Sequence, residues 1–281
     1  MGRRTGATGD LTVHIAPATG LGLPSLRELW AFRELIYFLT WRDVKARYKQ
    51  TVIGATWAVL QPVLTMVVFS LFFGRVARIP SEGIPYPIFS YCGLLPWTFF
   101  SQGLSRASNS LASSARLITK AYFPRSIIPL SAVLVGLVDF GLALVVLVAM
   151  MVCYRIFPGV NAVWLPGFLL LAFVTSLGGG LWLSALGARY RDVRYAVPFV
   201  LQMGMFATPV IYPSTLLHGG WRLLLGLNPM TTVVDGFRWT LLRVGSPPGA
   251  MVGVSVAVAL AVLASGAVCF RRVERTLADV I

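Results

Sequence analysis

Apolar residues run in six stretches along this chain, at roughly 52–73, 87–111, 127–154, 163–188, 195–213 and 250–270. Each comes close to or exceeds the about 20 apolar residues that an α-helix needs to cross the hydrocarbon of a bilayer. The pattern predicts an all-α membrane protein with six transmembrane helices. Two other segments have helical character without that uniform hydrophobicity. Residues 26–50 contain no helix breaker, and Tyr37, Trp41, Val44 and Tyr48 recur at spacings of four, three and four. That spacing predicts an amphipathic interface helix, its aromatics at headgroup depth and its cations toward phosphates. Residues 221–243 carry Arg222, Asp235, Arg238 and Arg243, too many charges for a lipid-facing span. There Asn228 is placed to cap and Pro229 to open a helix near Met230, which suits a re-entrant or interfacial segment. The chain thus divides into a flexible tail at 1–24, an interface helix at 25–50 and a six-span domain at 51–281.

Composition agrees and adds an orientation. The chain is 57% hydrophobic and 12% charged, with a mean hydropathy of +0.76, whereas soluble domains carry about 25% charged residues. Basic residues gather before the first run (Arg3, Arg4, Arg27, Arg33, Arg42, Lys45, Arg47, Lys49) and between runs two and three (Arg106, Arg116, Lys120, Arg125). They recur between runs four and five (Arg189, Arg191, Arg194) and after the last run (Arg271, Arg272, Arg275). The opposite side receives Arg75, Arg78, Arg155, Arg222, Arg238 and Arg243. By the positive-inside rule both termini are cytoplasmic. The net charge of +14 is thereby accounted for by topology, and nucleic acid is not an expected partner. The two N-terminal arginines precede no apolar stretch, so no cleavable secretory signal is expected. Cys92, Cys153 and Cys269 are far apart in apolar runs, and His14 and His218 are isolated. Neither a disulfide framework nor metal-ligand spacing is visible.

Four features bear on chemistry. The stretch LITKAYFPRSIIP, residues 117–129, sits on the cytoplasmic side between two spans. Pro124 ends any helix at Phe123 or before, and Leu117, Ile118, Tyr122 and Phe123 beside Lys120 and Arg125 have the mix that protein interfaces favour. A docking element and an ordinary positively charged loop both fit. Arg42, Lys45, Arg47 and Lys49 serve either as anchors or as receivers of an anionic lipid head group at the entrance of a pathway. Asp139 lies in the middle of the third run, where an ionisable group is costly and turns to a partner or a cavity; a structural hydrogen bond, a pathway role and proton coupling are its three readings. Trp57, Tyr91, Trp97, Phe99, Phe100, Phe206 and Tyr212 suit either an interfacial aromatic belt or a conduit whose rings stack on sugar faces. Gly178, Gly179, Gly180, Ser184 and Gly187 give the fourth run a small-residue face for close helix packing. The three lysines, Lys45, Lys49 and Lys120, none preceded by glycine, leave no phosphate-binding GxxxxGK[ST] loop. No ATP-hydrolysing site of this kind is therefore expected in the chain.

The stretches WRDVKARYKQTVIGATWAVLQP, LLPWTFF, LITKAYFPRSIIPLSAVL, ARYRDVRYAVPFVLQ, ATPVIYP, LNPM and RVERTLADVI, in that order and spacing, resemble the permease subunit of polysaccharide-exporting ABC transporters. The O-antigen, teichoic-acid and capsule exporters of bacteria belong to that group, and the resemblance runs from about residue 25 to the end. It implies a homodimer in the inner membrane that pairs with two ATPase subunits and moves a lipid-linked polysaccharide, with ATP and Mg held by those subunits and no cofactor in this chain. It also implies a coupling helix at the position of Ala115–Phe123, with Ala115, Arg116, Leu117, Ile118, Lys120, Tyr122, Phe123 and Arg125 as ATPase-coupling residues. By the same resemblance 25–50 is an interface and gate helix and 221–243 a re-entrant hairpin. A permease for a drug or another lipid would share the topology. A membrane-embedded glycosyl- or acyltransferase would show an Asp-rich or His-containing cytoplasmic group, which this sequence lacks.

Overall fold

The computed structural model describes residues 30–49, 54–114, 117, 123–190, 192–216, 225–245, 247 and 249–277. Among them, regular structure is helical throughout. Eight α-helices follow one another: α1 (Arg33–Lys49), α2 (Gly54–Phe69, continued by a wider π-helical stretch at Ser70–Val76), α3 (Tyr86–Ser113), α4 (Ile127–Cys153), α5 (Leu165–Arg189), α6 (Asp192–Ala207), α7 (Pro229–Phe237, continued at Arg238–Leu242) and α8 (Met251–Leu277).

Among the described residues, four helical stretches are long and apolar enough to cross a membrane: Thr56–Val76, Ile127–Cys153, Val160–Arg189 and Met251–Glu274. The second and fifth expected spans differ from these for separate reasons. With 28 residues α3 has the length, but it is the hub, packed against α2, α4, α5, α6 and α7. A helix surrounded by protein need not be apolar all round. The hydroxyls of Ser90, Ser101, Ser108, Ser110 and Ser113 donate back to carbonyls one turn earlier and are satisfied within the helix. The fifth run is not one continuous helix. α6 ends at Ala207 after 16 residues, about 24 Å of helix, because Thr208 precedes Pro209 and is driven out of the helical region.

In lipid, helices associate by close packing rather than by escape from water, and the glycines of α5 show how. A Cβ on Gly178 would stand 2.7 Å from the backbone nitrogen of Leu263, so α5 and α8 touch backbone to backbone. Across the seam the Trp182 indole donates to Ser265 Oγ at 3.0 Å, and Thr232 and Ser255 share a 2.6 Å hydrogen bond between α7 and α8. The small-residue face expected for this helix packs on both sides, since a Cβ on Gly180 would meet that of Ala107 in α3 at 2.7 Å. Two apolar clusters result. The larger gathers Phe89, Tyr91, Phe140, Leu147, Val233 and Phe237. The other joins Leu39, Leu111, Phe123, Ile127, Leu181 and Phe270 at the end where the chain passes from α3 to α4.

The interface helix α1 packs on α4. Leu39 shares the second cluster with Ile127 and Ile128 at the first turn of α4, while Arg47 and Tyr48 reach Asp139 about three turns further on. Helix α1 therefore runs alongside α4 rather than across its end. Its predicted stripe also splits: Tyr37 and Trp41 are exposed, whereas Val44 is buried and Tyr48 turns inward to Asp139. The face that α1 lays on α4 passes through Leu39, Val44 and Arg47 instead.

Candidate functional site

Three helices bring charge together at Asp139. Its Oδ2 accepts from Arg47 Nη1 of α1 at 2.6 Å and from Arg106 Nη2 of α3 at 2.5 Å. Its Oδ1 accepts from the Tyr48 hydroxyl at 2.5 Å, and Arg106 Nη2 also donates to Gln102 Oε1 at 2.6 Å. A lone carboxylate here would be costly; two guanidiniums and a phenol satisfy it instead. Burial, reinforced by the Asp139 carboxylate, pushes the Tyr48 phenol up to about 12, so it stays a donor. Beside this cluster lies a cavity of about 380 Å³ walled by α1, α3 and α4, into which Arg42, Asp43, Arg47 and Arg106 face. Its other walls are mostly small and polar, with Ser105, Asn109, Ser110, Ser113, Ser114 and Ser131.

A second ionic node closes the larger core. Arg238 follows α7 and is 3% exposed. Its Nη1 donates to the carbonyls of Pro209 and Tyr212 at 2.6 and 3.3 Å, and its Nη2 to that of Val210 at 2.6 Å. The guanidinium lies over Phe89, 3.7 Å from the ring centroid, with Asp235 at 3.9 Å. Gly93 makes the space, since a Cβ there would stand 2.8 Å from Arg238 Nη2. One buried arginine thus clasps the turn that follows α6. The start of α7 is as its sequence predicts: Asn228 Oδ1 accepts from the Met230 amide at 3.1 Å, with Pro229 first in the helix.

The sequence signature described as ABC-2 type transporter matches residues 34–242, a range holding both ionic nodes. The chain belongs to that family. Among relatives of this ABC-2 protein is one named O-antigen export system permease protein RfbA from Myxococcus xanthus, 34% identical over 76% of this chain and 82% of its own length. A protein of the same name from Klebsiella pneumoniae is 27% identical over 73% and 79% of the two chains. The polysialic acid transport protein KpsM of Escherichia coli is 22% identical over 69% and 76%.

In this ABC-2 protein the expected site residues are distributed unevenly. Of the coupling set, Ala115, Arg116, Ile118, Lys120 and Tyr122 lie outside the described residues. Phe123 is 7% exposed and packed among Leu39, Ile127, Leu181 and Phe270 of its own subunit. Its ring is thus enclosed within its own subunit. Arg125 is tied to the end of α8, its amide donating to Glu274 Oε1 at 3.1 Å and its guanidinium to the Glu274 carbonyl at 3.4 Å. Leu117 is half-buried against the same cluster.

Of the head-group set, Arg47 is bound to Asp139 and faces inward. Arg42 donates to Asp43 at 2.9 Å, Lys45 lies over Trp41 with Nζ 5.9 Å from the ring centroid, and Lys49 is exposed at the end of α1. The aromatic set separates too. Trp57 and Phe206 are 52% and 46% exposed, and Phe100 and Tyr212 are half-buried. Tyr91, Trp97 and Phe99 are interior to the subunit. Tyr91 donates to the Ala143 carbonyl at 3.1 Å, Phe99 packs on Phe140 and Trp97 on Phe100. Sequence reasoning missed Arg106, Tyr48 and Arg238 as site residues. A cation inside the run 87–111 was the available signal for Arg106, as a partner for the isolated acid in the next run.

Proposed function

We propose that this chain is the transmembrane subunit of an ATP-driven exporter that carries a lipid-linked polysaccharide, such as an O-antigen or teichoic acid, from the cytoplasm across the bacterial inner membrane. The observation that carries this reading is the 34% identity, over 82% of its length, to a protein named as an O-antigen export permease. The basic, serine-walled cavity beside α1 supports it as a place where an anionic head group enters. Two copies pair, each with a separate ABC ATPase subunit that binds ATP and Mg. The helices α2, α3, α4, α5, α6 and α8 make six crossings in the assembled dimer, α7 is re-entrant, and both termini are cytoplasmic. Residues 115–123 dock on the ATPase, and their movement reaches the spans through Phe123, packed at the root of α4, and Arg125, tied to α8. Deleting the gene should remove glycan from the cell surface while lipid-linked glycan accumulates inside, and a plasmid copy should restore export. Unchanged surface glycan would overturn the reading. It would favour a permease for another cargo, consistent with the 27% identity to the inner membrane transport permease YadH of Escherichia coli.

A further inference from the structure

We propose that the cavity between α1, α3 and α4 is an anion-exchange site, in which a phosphate-bearing ligand takes Arg106 and Arg47 from Asp139 and thereby loosens α1 from α4. The inference deepens the export reading and rests on it only for the source of the phosphate.

Four observations converge. First, Arg106 is incompletely used: Nη2 serves Asp139 and Gln102, while the buried Nη1 has no hydrogen-bond partner among the described residues. A buried donor left unmade is costly; the Nη1 atom lies beside Gly136 of α4, and Arg106 as a residue lines the cavity. Second, a single carboxylate oxygen, Asp139 Oδ2, receives both guanidiniums. A phosphate offers three or four oxygens and serves two arginines by paired hydrogen bonds, a geometry for which the guanidinium fork is suited. Third, the charged side chains on these walls are Arg42, Asp43, Arg47 and Arg106, with Asp139 behind; three arginines against two aspartates leave a cationic surplus. Fourth, the volume of about 380 Å³ lies within the range of ligand pockets, roughly 300–1,000 Å³. It admits a pyrophosphate and the first atoms of what it is attached to.

Exchange has a mechanical consequence. Arg47 and Tyr48, adjacent on α1, both hold Asp139 of α4. A phosphate that draws Arg47 away removes the ionic half of that tie and leaves the Tyr48 hydrogen bond alone. Ligand occupancy and the position of α1 are thereby linked, since a ligand shifts an equilibrium by its differential affinity for the two states.

The test uses the full chain purified in detergent, titrated with inorganic pyrophosphate and, separately, with farnesyl pyrophosphate. Saturable binding of either supports the site; tighter binding of the isoprenyl form points to a lipid source and equal binding to a free one. Absence of saturable binding by both overturns it. Arg106→Gln should weaken binding at least tenfold. Asp139→Asn should tighten it severalfold, because the competing carboxylate is gone. A merely structural cluster would lose binding or change nothing in both variants, and either result overturns exchange. Should Asp139→Asn fail to insert, Asn109→Trp decides the matter: Asn109 is exposed and on the cavity wall, and a bulky ring there should block binding while leaving the ionic cluster untouched. Unchanged binding in Asn109→Trp overturns the proposal. Surface glycan is scored in a separate assay, so anion binding without an export defect on deletion would sink the export reading and leave the anion site standing.

Discussion

Arg238→Met removes the guanidinium that clasps the turn after α6. Methionine keeps much of the length and apolar bulk of the side chain but deletes every donor. The carbonyls of Pro209, Val210 and Tyr212 lose that donor, and a buried group left unpaired costs about 1–3 kcal/mol. The contact with Phe89 at 3.7 Å is lost as well, about 2 kcal/mol for a desolvated cation over a ring. Against these stands the burial of the charge itself, several kcal/mol that the variant no longer bears. Three unpaired carbonyls and the lost ring contact together outweigh the relieved charge burial, leaving a net destabilisation of about 3–5 kcal/mol. At about 2 °C per kcal/mol for a chain of this size, the melting temperature in detergent should fall by about 6–10 °C. The protein has its own reporter in Cys92, fully buried beside Gly93. With Cys153 and Cys269 replaced by serine, maleimide labelling of Cys92 in membranes follows the opening of this end. Arg238→Met should label markedly faster than the parent. Arg238→Lys should fall between them, since it keeps the charge but not the fork. If Arg238→Met melts within about 2 °C of the parent, about 1 kcal/mol by that conversion, and leaves Cys92 shielded, the clasp does not hold this turn.

Other outcomes follow from single contacts. Phe123→Ala should destabilise the chain by about 3 kcal/mol or more even when no ATPase subunit is co-expressed, as a thermal scan of the permease alone would report; a loss seen only in the complex would return Phe123 to a docking role. Gly178→Val should drive α5 from α8 and prevent a monodisperse preparation on size-exclusion chromatography, because its first carbon already meets the Leu263 backbone. Arg42, Lys45 and Lys49 changed together to Gln should lower glycan export at unchanged protein level, and unaltered export would leave them as anchors. Tyr48, whose phenol is raised to about 12, should stabilise the fold fully below its ordinary value near 10, with that contribution lost as pH rises through about 12. The melting difference between the parent and Tyr48→Phe should therefore be flat in neutral buffer and shrink in strong alkali; a difference that changes between pH 6 and 8 would contradict the assignment.

Local chemistry was legible in the sequence and long-range pairing was not. Asn228 and Pro229 specify the start of α7 because a cap is decided within three residues. The end of α6 at Ala207 was equally local, written in Pro209, yet the hydropathy of 195–213 masks it. Asp139, by contrast, finds Arg47 and Arg106 at separations of 92 and 33 residues, and no periodicity reports which of many cations will arrive. Phe123 beside Arg125 has the composition of an exposed anchor; only the packing of Leu39, Leu181 and Phe270 around it shows that it is enclosed.

The same reasoning accounts for the orientation of α1. Spacing identifies a stripe, but the medium decides which way the stripe turns. In water an apolar stripe faces the protein, and the cations beside it face out. Next to lipid that preference is weak, because the surroundings are as apolar as the interior. Tyr37 and Trp41 then cost little when exposed, while a buried acid on a neighbouring helix gains from every cation it can recruit. Asp139 on α4 supplies that demand, and α1 answers with Arg47 and Tyr48, adjacent residues that both reach it. The orientation of α1 is therefore set by an ionic partner in another helix, which is also why a competing anion is the perturbation suited to moving it.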